Sequence, residues 1–293
     1  MICYTRLTDY YDSVFVASPT VASGTNFCLL AREGDYRSYE YTKYDSGMYS
    51  QFEVVATAND TTITITPAAN AGLDNLQTNV YTVNLSQGEV YQAQSLNATN
   101  DVTGTIITSD QPIIVFAGAN TGLIGALDSN VLTDEQAPTN SWGDEMLAVS
   151  FARRTGGDEY RVLALNDNTV VTTNGRTEVT LQSGQWYDAE IGGPVEFQAN
   201  NPIQVAHFAN GEGYDSPPNY YGEDTEILLP SPNEYSTSYI VYSPSFATNF
   251  LNLIVATNAA FTTLDGTNVS LIATNFVAIG SSGYAGAQIP VLP

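Results

Sequence analysis

The side chain best suited to acid–base catalysis occurs once in this chain, at His207. Nucleophilic catalysis needs a base beside a nucleophile, and the chain has no G-x-S-x-G motif, no P-loop and no G-x-G-x-x-G motif leading into a helix. His207 lies in the alternating run PIQVAHFAN, where it shares one strand face with Val205. The sequence therefore predicts that His207 is structural and that the protein is not an enzyme.

Acidic loops are the second place where chemistry could occur, because calcium prefers carboxylate and carbonyl oxygens. The candidate calcium site is the cluster Asp128, Asn130 and Asp134. Neither this cluster nor a second one at 215–226 has the glycine and glutamate spacing of an EF-hand loop. Solvated loop acids are the alternative. The sequence implies no other cofactor.

Three tyrosines in the stretch GEGYDSPPNYYGED suit recognition rather than catalysis. A tyrosine combines a ring that stacks with a hydroxyl that hydrogen-bonds, and it loses little conformational entropy on binding. Long loops on a β-scaffold often carry binding sites. We predict that loop 210–226 is exposed and that Tyr214, Tyr220 and Tyr221 contact a protein or glycan. The alternative is a loop that packs into the core.

The two cysteines, Cys3 and Cys28, are candidates for a disulfide, since strand pairing near the start of the chain would bring them within bridging distance. The alternative is that both are small apolar residues. Two cysteines and one histidine cannot form a zinc site unless carboxylates supply the other ligands.

Charge and hydropathy limit the partners. The chain has 31 acidic and 8 basic residues and a formal net charge of −23, so its surface repels nucleic acid and anionic membranes. It has no run of about 20 apolar residues, which predicts that it does not insert into a membrane. Its many Thr, Asn, Ser and Tyr residues are typical of secreted β-proteins. We expect an exported protein whose signal peptide is absent from this sequence.

The elements that must position these residues are strands, because apolar residues recur with period two in short runs and helical periodicity is absent. The pattern predicts an all-β fold. The clearest predicted strands are 52–57, 61–66, 80–85, 112–118, 160–165, 202–208, 239–243 and 251–257.

A long internal repeat organises these strands. EVVATANDTTITI, RVLALNDNTVVTT and LIVATNAAFTTLDG align, and the copies begin near Tyr10, Ser141 and Tyr235. Asn174-Gly175 and Asp265-Gly266 fall at matching places as two-residue hairpin turns. We predict tandem β-sandwich-like modules separated by long loops. The first, with an N-terminal extension, spans 1–125, the second spans 126–225, and a third, expected to be truncated, spans 226–293.

The third module is expected to lack a strand. The first two copies each close with a Pro-Ile-x-Val strand, at 112–115 and 202–205, whereas the third has YAGAQIPVLP and no such continuation. An open sheet edge invites pairing with another strand. That strand has three candidate sources: residues after 293, the first strand near residues 1–10, and a neighbouring subunit. The alternative is a diverged module that closes with its own final residues.

Several stretches together resemble one known family: VVATANDTTITI, YTVNLSQGEVYQA, GTIITSDQPIIVFAGAN, LTDEQAP followed by SWGDE, YRVLALNDNTVVTTNG and ILLPSPNEYSTSYIVYSP. From about Phe52 onward, the chain resembles the amino-terminal domain of IgG Fc-binding protein, which also occurs in bacterial surface and gliding-associated proteins. The resemblance implies an extracellular, non-enzymatic domain used in adhesion or surface layers. It supplies no catalytic or ligand residues. The stretch GANTGLIGALDSN departs from the family because it lacks cysteines.

These observations favour an extracellular or cell-surface adhesion and binding protein. Its expected partners are a protein or glycan ligand at a surface, or copies of itself. One alternative is the structural subunit of a surface filament or sheath that assembles through strand or edge exchange. A second alternative is a glycan-active enzyme, which would need a cleft with converging carboxylates and aromatic rings.

Overall fold

The computed structural model describes residues 2–6, 12–16, 23–34, 48–125, 129–211, 214, 223–241, 248–258, 261–269 and 275–291. Regular structure in these ranges is almost entirely strand, which confirms the all-β prediction. The first two strands, β1 (Ile2–Arg6) and β2 (Asp12–Val16), form a two-stranded antiparallel pair.

A curled seven-stranded antiparallel sheet forms the first module. Five strands lie in the order β6-β5-β8-β4-β7, while β3 and β9 both pair with β8. The strands are β3 (Gly24–Cys28), β4 (Ser50–Ala56), β5 (Thr61–Thr66), β6 (Tyr81–Leu85), β7 (Val90–Gln94), β8 (Ile106–Gly122) and β9 (Asn130–Glu135).

The second module repeats this topology as β13-β12-β15-β11-β14, with β10 and β16 paired to β15. Its strands are β10 (Gly143–Ala148), β11 (Asp158–Ala164), β12 (Thr169–Thr173), β13 (Arg176–Leu181), β14 (Trp186–Ile191), β15 (Val195–Ala209) and β16 (Thr225–Leu228). A 3₁₀ turn at Thr139–Ser141 precedes β10, and another at Pro232–Glu234 follows β16.

One long strand holds each complete module together. The first part of β8 pairs with β3 and β5, and its second part pairs with β4 and β9. β15 divides its partners in the same way. The alternating apolar residues of these strands point inward, because successive side chains of a strand face opposite sides. Each module therefore encloses its own core, around Phe52 and Ile63 in the first and Tyr160 and Phe197 in the second.

The first two modules also share a buried interface. Leu30 and Leu132 of the first module pack with Leu163 and Phe208 of the second, and Trp142 lies in the same cluster. The backbone N–H of Leu30 donates to the side-chain oxygen of Gln136 over 2.8 Å within this buried region. The two modules are therefore joined by a continuous core rather than by a linker.

The third module is smaller. It contains a three-stranded sheet in the order β17-β21-β20 and a separate two-stranded hairpin, β18-β19. Its strands are β17 (Asn249–Ala256), β18 (Thr263–Leu264), β19 (Thr267–Asn268), β20 (Val277–Ile279) and β21 (Tyr284–Val291). Among the described strands, β17 pairs only with β21, so the structure does not show the sheet closing with its own residues.

The predicted turns are present. Asn174 and Gly175 have φ of +48° and +80°, and Asp265 and Gly266 have φ of +50° and +78°. Positive φ at both central residues is the geometry that Asn-Gly and Asp-Gly favour in hairpins. Each pair joins two antiparallel strands, with Thr173 opposite Arg176 in the first hairpin.

Three expectations need revision. β9 pairs with β8 and therefore belongs to the sheet of the first module, although it lies after the predicted boundary at 126. β16 pairs with β15 and extends the sheet of the second module past the predicted boundary at 226. The strand of the first module that corresponds to β10 is β3, not the segment 10–18, because β3 pairs with β8 as β10 pairs with β15. Residues 239–241, predicted as part of a strand, are exposed and outside regular structure.

Candidate ligand-binding groove

A groove of about 600 Å³ lies between the second and third modules. One wall is the segment that follows β10, from Val149 to Thr155, and the other is the face of β21 around Gln288. Two hydrogen bonds tie the walls together: the side-chain amides of Asn252 and Gln288 both donate to the backbone carbonyl of Ser150. Third-module side chains thus fix the position of this segment.

Two arginines, Arg153 and Arg154, line the groove. Arg153 is exposed, and its guanidinium carbon lies 5.0 Å from the centre of the Phe250 ring, within the range of a cation–π contact. Arg154 donates to the backbone carbonyl of Asn210. Both side chains line the groove, and no aspartate or glutamate lines it among the described residues. Guanidinium groups are donors that pair well with carboxylates.

Tyr214 lies beside one wall of the groove. A Cβ atom built on Gly156 would lie 2.4 Å from Cε1 of its ring, and one built on Gly125 would lie 2.9 Å from Cδ2. The absence of a side chain at both positions lets the ring pack closely on the backbone. Tyr214 is consequently half-buried rather than fully exposed. Tyr220 and Tyr221 lie outside the described residues, and the contact role of all three tyrosines stays a prediction.

His207 lies outside the groove and inside the second module. It is buried, and its Nε2 lies 2.8 Å from Oδ2 of Asp158. Its ring stacks on Tyr160 with centroids 4.5 Å apart and lies 4.2 Å from the ring of Phe151. The ring is therefore packed between two aromatic side chains and a buried carboxylate inside the second module.

The candidate calcium residues have protein partners. Asn130 is buried, and its side-chain amide donates to the backbone carbonyl of Asp224. Oδ2 of Asp134 accepts the N–H of Leu228 over 2.9 Å. Asp128 lies outside the described residues. In the described part of the chain, no three His, Cys, Asp or Glu side chains form a group that could bind a metal. The hydrogen bonds of Asn130 and Asp134 connect β9 with β16 and with Asp224, the residue before β16.

Cys28 is a buried free thiol, so this structure contains no disulfide between it and Cys3. Its side chain belongs to the apolar cluster that joins the first two modules. Burial raises the pKa of the Cys28 thiol to about 12. The structure thus places Cys28 as a small apolar residue, the alternative expected from the sequence.

Sequence reasoning missed a buried charge cluster between the first two modules. The side chain of Arg161 on β11 is 2% exposed. It contacts Asp101 and the backbone carbonyl of Ala31 in the first module, and it makes a bidentate pair with Asp188 on β14 at 2.7 and 3.0 Å. Nearby, Arg32 contacts Glu159. An arginine within the apolar run YRVLAL was the only sequence signal for this site.

Glu226 on β16 adds an uncompensated acid to the same region. The residue is 4% exposed, and neither carboxyl oxygen has a hydrogen-bond partner among the described residues. Burial, reinforced by the charge of Asp134, raises the pKa of Glu226 well above its usual range. Burial likewise raises the pKa of Asp134 to about 6. Arg161, Asp101 and Glu226 are buried between the modules, and we assign the cluster a structural role.

The comparisons with known proteins identify the family. The sequence profile described as IgGFc binding protein matches residues 13–291, nearly the whole chain. The chain therefore belongs to this family, which confirms the resemblance seen in the sequence. No curated protein and no solved structure matches the chain significantly.

The described parts of the chain contain no helix with the length and hydropathy needed to cross a bilayer.

Proposed function

We propose that this chain is an extracellular or cell-surface protein that binds and adheres to a protein ligand without catalysing a reaction. The observation that carries the proposal is the family match across residues 13–291. The family is generally one of secreted or surface proteins. The acidic composition is compatible with that location.

The groove between the second and third modules is the proposed ligand site. Arg153 and Arg154 supply two guanidinium groups, and the exposed ring of Phe250 lies next to one of them. Acidic side chains of a protein ligand would accept hydrogen bonds from N–H groups of the arginines, and the carbonyl and amide groups of the walls would accept or donate further hydrogen bonds. Tyr214 would extend the contact area beside Gly156.

Two features support binding rather than catalysis. His207, the one histidine, is buried against Asp158 and two aromatic rings and does not itself line the groove. The groove lacks acidic lining residues within the described ranges, whereas hydrolysis of a glycan requires two carboxylates flanking the substrate. A glycan ligand and a role as a structural subunit remain the alternative functions.

The test uses purified protein and immobilised mucin, immunoglobulin Fc and a glycan array, with binding followed by biolayer interferometry. We expect binding to a protein probe, weakened about tenfold by Arg153→Glu, which corresponds to about 1.4 kcal/mol. The matched control is Arg176→Glu, which makes the same charge change at a highly exposed residue of β13. Equal binding by the two variants would contradict the groove assignment. Binding to glycans alone would favour the glycan alternative.

A further inference from the structure

Among the described residues, the third module shows no equivalent of the long strand that completes the other two. β4 pairs with β7 on one edge and with the long strand β8 on the other, and β11 pairs in the same way with β14 and β15. β17 pairs with β21, and no second strand pairs with it within the described ranges. Its equivalents are largely buried, whereas no residue of β17 is fully buried.

Turn geometry shows which edge of β17 has no partner among the described strands. β7, β14 and β21 each follow a glycine with positive φ, Gly88 at +82°, Gly184 at +74° and Gly283 at +79°. Each turn also forms a backbone hydrogen bond with the end of a neighbouring strand. The N–H of Gly88 donates to Ala56 at the end of β4, and the N–H of Gly184 donates to Ala164 at the end of β11. The carbonyl of Gly283 accepts from Thr257, which follows β17. β21 is therefore the equivalent of β7 and β14. The other edge of β17, which has no partner among the described strands, is the edge that pairs with β8 in the first module and with β15 in the second.

The first hairpin, β1-β2, contains a strand that has a free edge among the described strands. β2 leads into a Ser-Pro step, Ser18-Pro19, as β16 leads into Ser231-Pro232. β2 also lies beside β9, just as β9 lies beside β16. β2 is thus the equivalent of β9 and β16, and its partner β1 is the equivalent of the second part of the long strand. In the complete modules that part pairs on both edges, whereas β1 pairs only with β2 among the described strands.

We propose that β1 of one copy of the chain pairs with the open edge of β17 in a second copy, so that the copies join head to tail. The second module sets the register. Ala206 lies between Leu228 on β16 and Arg161 on β11. In the repeat, Phe15 corresponds to Leu228 and Leu253 corresponds to Arg161. Because Cys3 pairs with Phe15, Cys3 lies opposite Leu253 of the second copy.

Pairing of this kind is antiparallel and extends from Ile2 opposite Ile254 to Arg6 opposite Phe250. It adds main-chain hydrogen bonds to an edge strand, as in other complexes formed by strand addition. Because the two joined surfaces differ, each added copy presents another open β17 edge, and assembly continues into a ring or a filament. The exposed segment 239–241 is not covered, because it corresponds to β10, which pairs with the first part of the long strand.

Disulfide trapping tests the register. Leu253→Cys places a cysteine opposite the natural Cys3, and mild oxidation of the full chain should give a ladder of dimers and larger species on a non-reducing gel. The matched control is Thr180→Cys, an exposed position on β13, another edge strand. No ladder is expected from this control or from the double variant Cys3→Ser, Leu253→Cys.

An unmodified sample tests the assembly without the risk that a variant fails to fold. In sedimentation velocity, the natural chain should increase in average mass with concentration, and an added peptide spanning residues 1–7 should reverse the increase. A constant monomer mass together with no ladder would overturn the proposal. In the Leu253→Cys variant, a disulfide within one chain between Cys3 and the introduced thiol would also overturn it, because β1 would then complete the third module of its own chain. The outcome does not depend on whether the groove binds a ligand.

Discussion

The guanidinium of Arg161 in the second module donates to the carboxylate of Asp101 in the first, and both side chains are buried. Burial alone would raise the pKa of Asp101, but the charge of Arg161 and hydrogen bonds from Thr103 hold it below its usual range. Two modules that are each complete around their own cores are thus joined by a buried ion pair.

Removing Arg161 should leave Asp101 as a buried charge without its partner. We expect Arg161→Met to lower the free energy of unfolding by about 3–5 kcal/mol. Asp101→Asn in the same background should restore most of the loss. Urea denaturation measures both effects. Arg176→Met is the matched control, since Arg176 is 84% exposed and 3.7 Å from Glu178, and it should leave stability unchanged. A similar loss in both single variants would contradict the role of the buried pair.

Stability should fall as the pH rises from 5 to 8, because Asp134 and Glu226 have raised pKa values in the folded state. A carboxyl group with a raised folded pKa binds more protons when folded. Its contribution is therefore complete below the unfolded pKa and lost as the pH rises through the folded pKa, about 6 for Asp134. The expected loss is on the order of 1 to 3 kcal/mol.

Glu226→Gln isolates one of these groups, since the amide carries no charge at any pH. The variant should be more stable than the natural chain at pH 8, and its stability should depend less on pH across the measured range. Glu190→Gln makes the same change at an exposed position of β14 and should leave the pH profile unchanged. Identical profiles for the natural chain and the Glu226 variant would show that this carboxyl group does not titrate in that range.

His207→Ala should destabilise the second module. The substitution removes the partner of a buried carboxylate, Asp158, and leaves a space between Tyr160 and Phe151. Loss of a hydrogen bond to a buried carboxylate costs about 1.5–3 kcal/mol. His207→Gln keeps a donor near Asp158 and should cost less. A hydrolytic activity that disappears in His207→Ala while the fold is retained would contradict the non-catalytic assignment.

Cys28 should resist thiol reagents in the folded protein, because it is buried and its thiolate is disfavoured. A Cys3→Ser variant isolates this residue. It should react slowly with a disulfide reagent in buffer and at once in denaturant. In the natural chain, unfolding without a reductant should expose two thiols. If it exposes none, the two cysteines form a disulfide, contrary to the free thiol seen here.

The alternation of apolar residues predicted most of the strands that form the two complete modules. The runs at 52–57, 61–66, 160–165 and 202–208 all fall within observed strands or extend one by a residue. They were predictable because a half-buried strand requires period two. The two-residue hairpin turns were predictable for a similar local reason, since few residues accept positive φ at both central positions.

Pairing partners were not predictable in the same way. Both DSVFV and GTNFC alternate, and only the hydrogen bonds to β8 show that GTNFC belongs to the first sheet. The run YIVYS reads as a strand, but at residues 239–241 it has no partner strand, so its sequence preference is not realised. The buried contact between Arg161 and Asp101 joins residues 60 positions apart, a separation that no local pattern encodes.

The close joint between the first two modules has a mechanical consequence. The backbones of Gly104 and Gly184 approach so closely across it that a Cβ atom on Gly104 would lie 2.4 Å from the carbonyl oxygen of Gly184. With the shared core around Trp142, this contact leaves little room for a hinge. We therefore expect the two modules to move as one rigid body. A force applied to the first module would then be transmitted to the groove without bending between the modules.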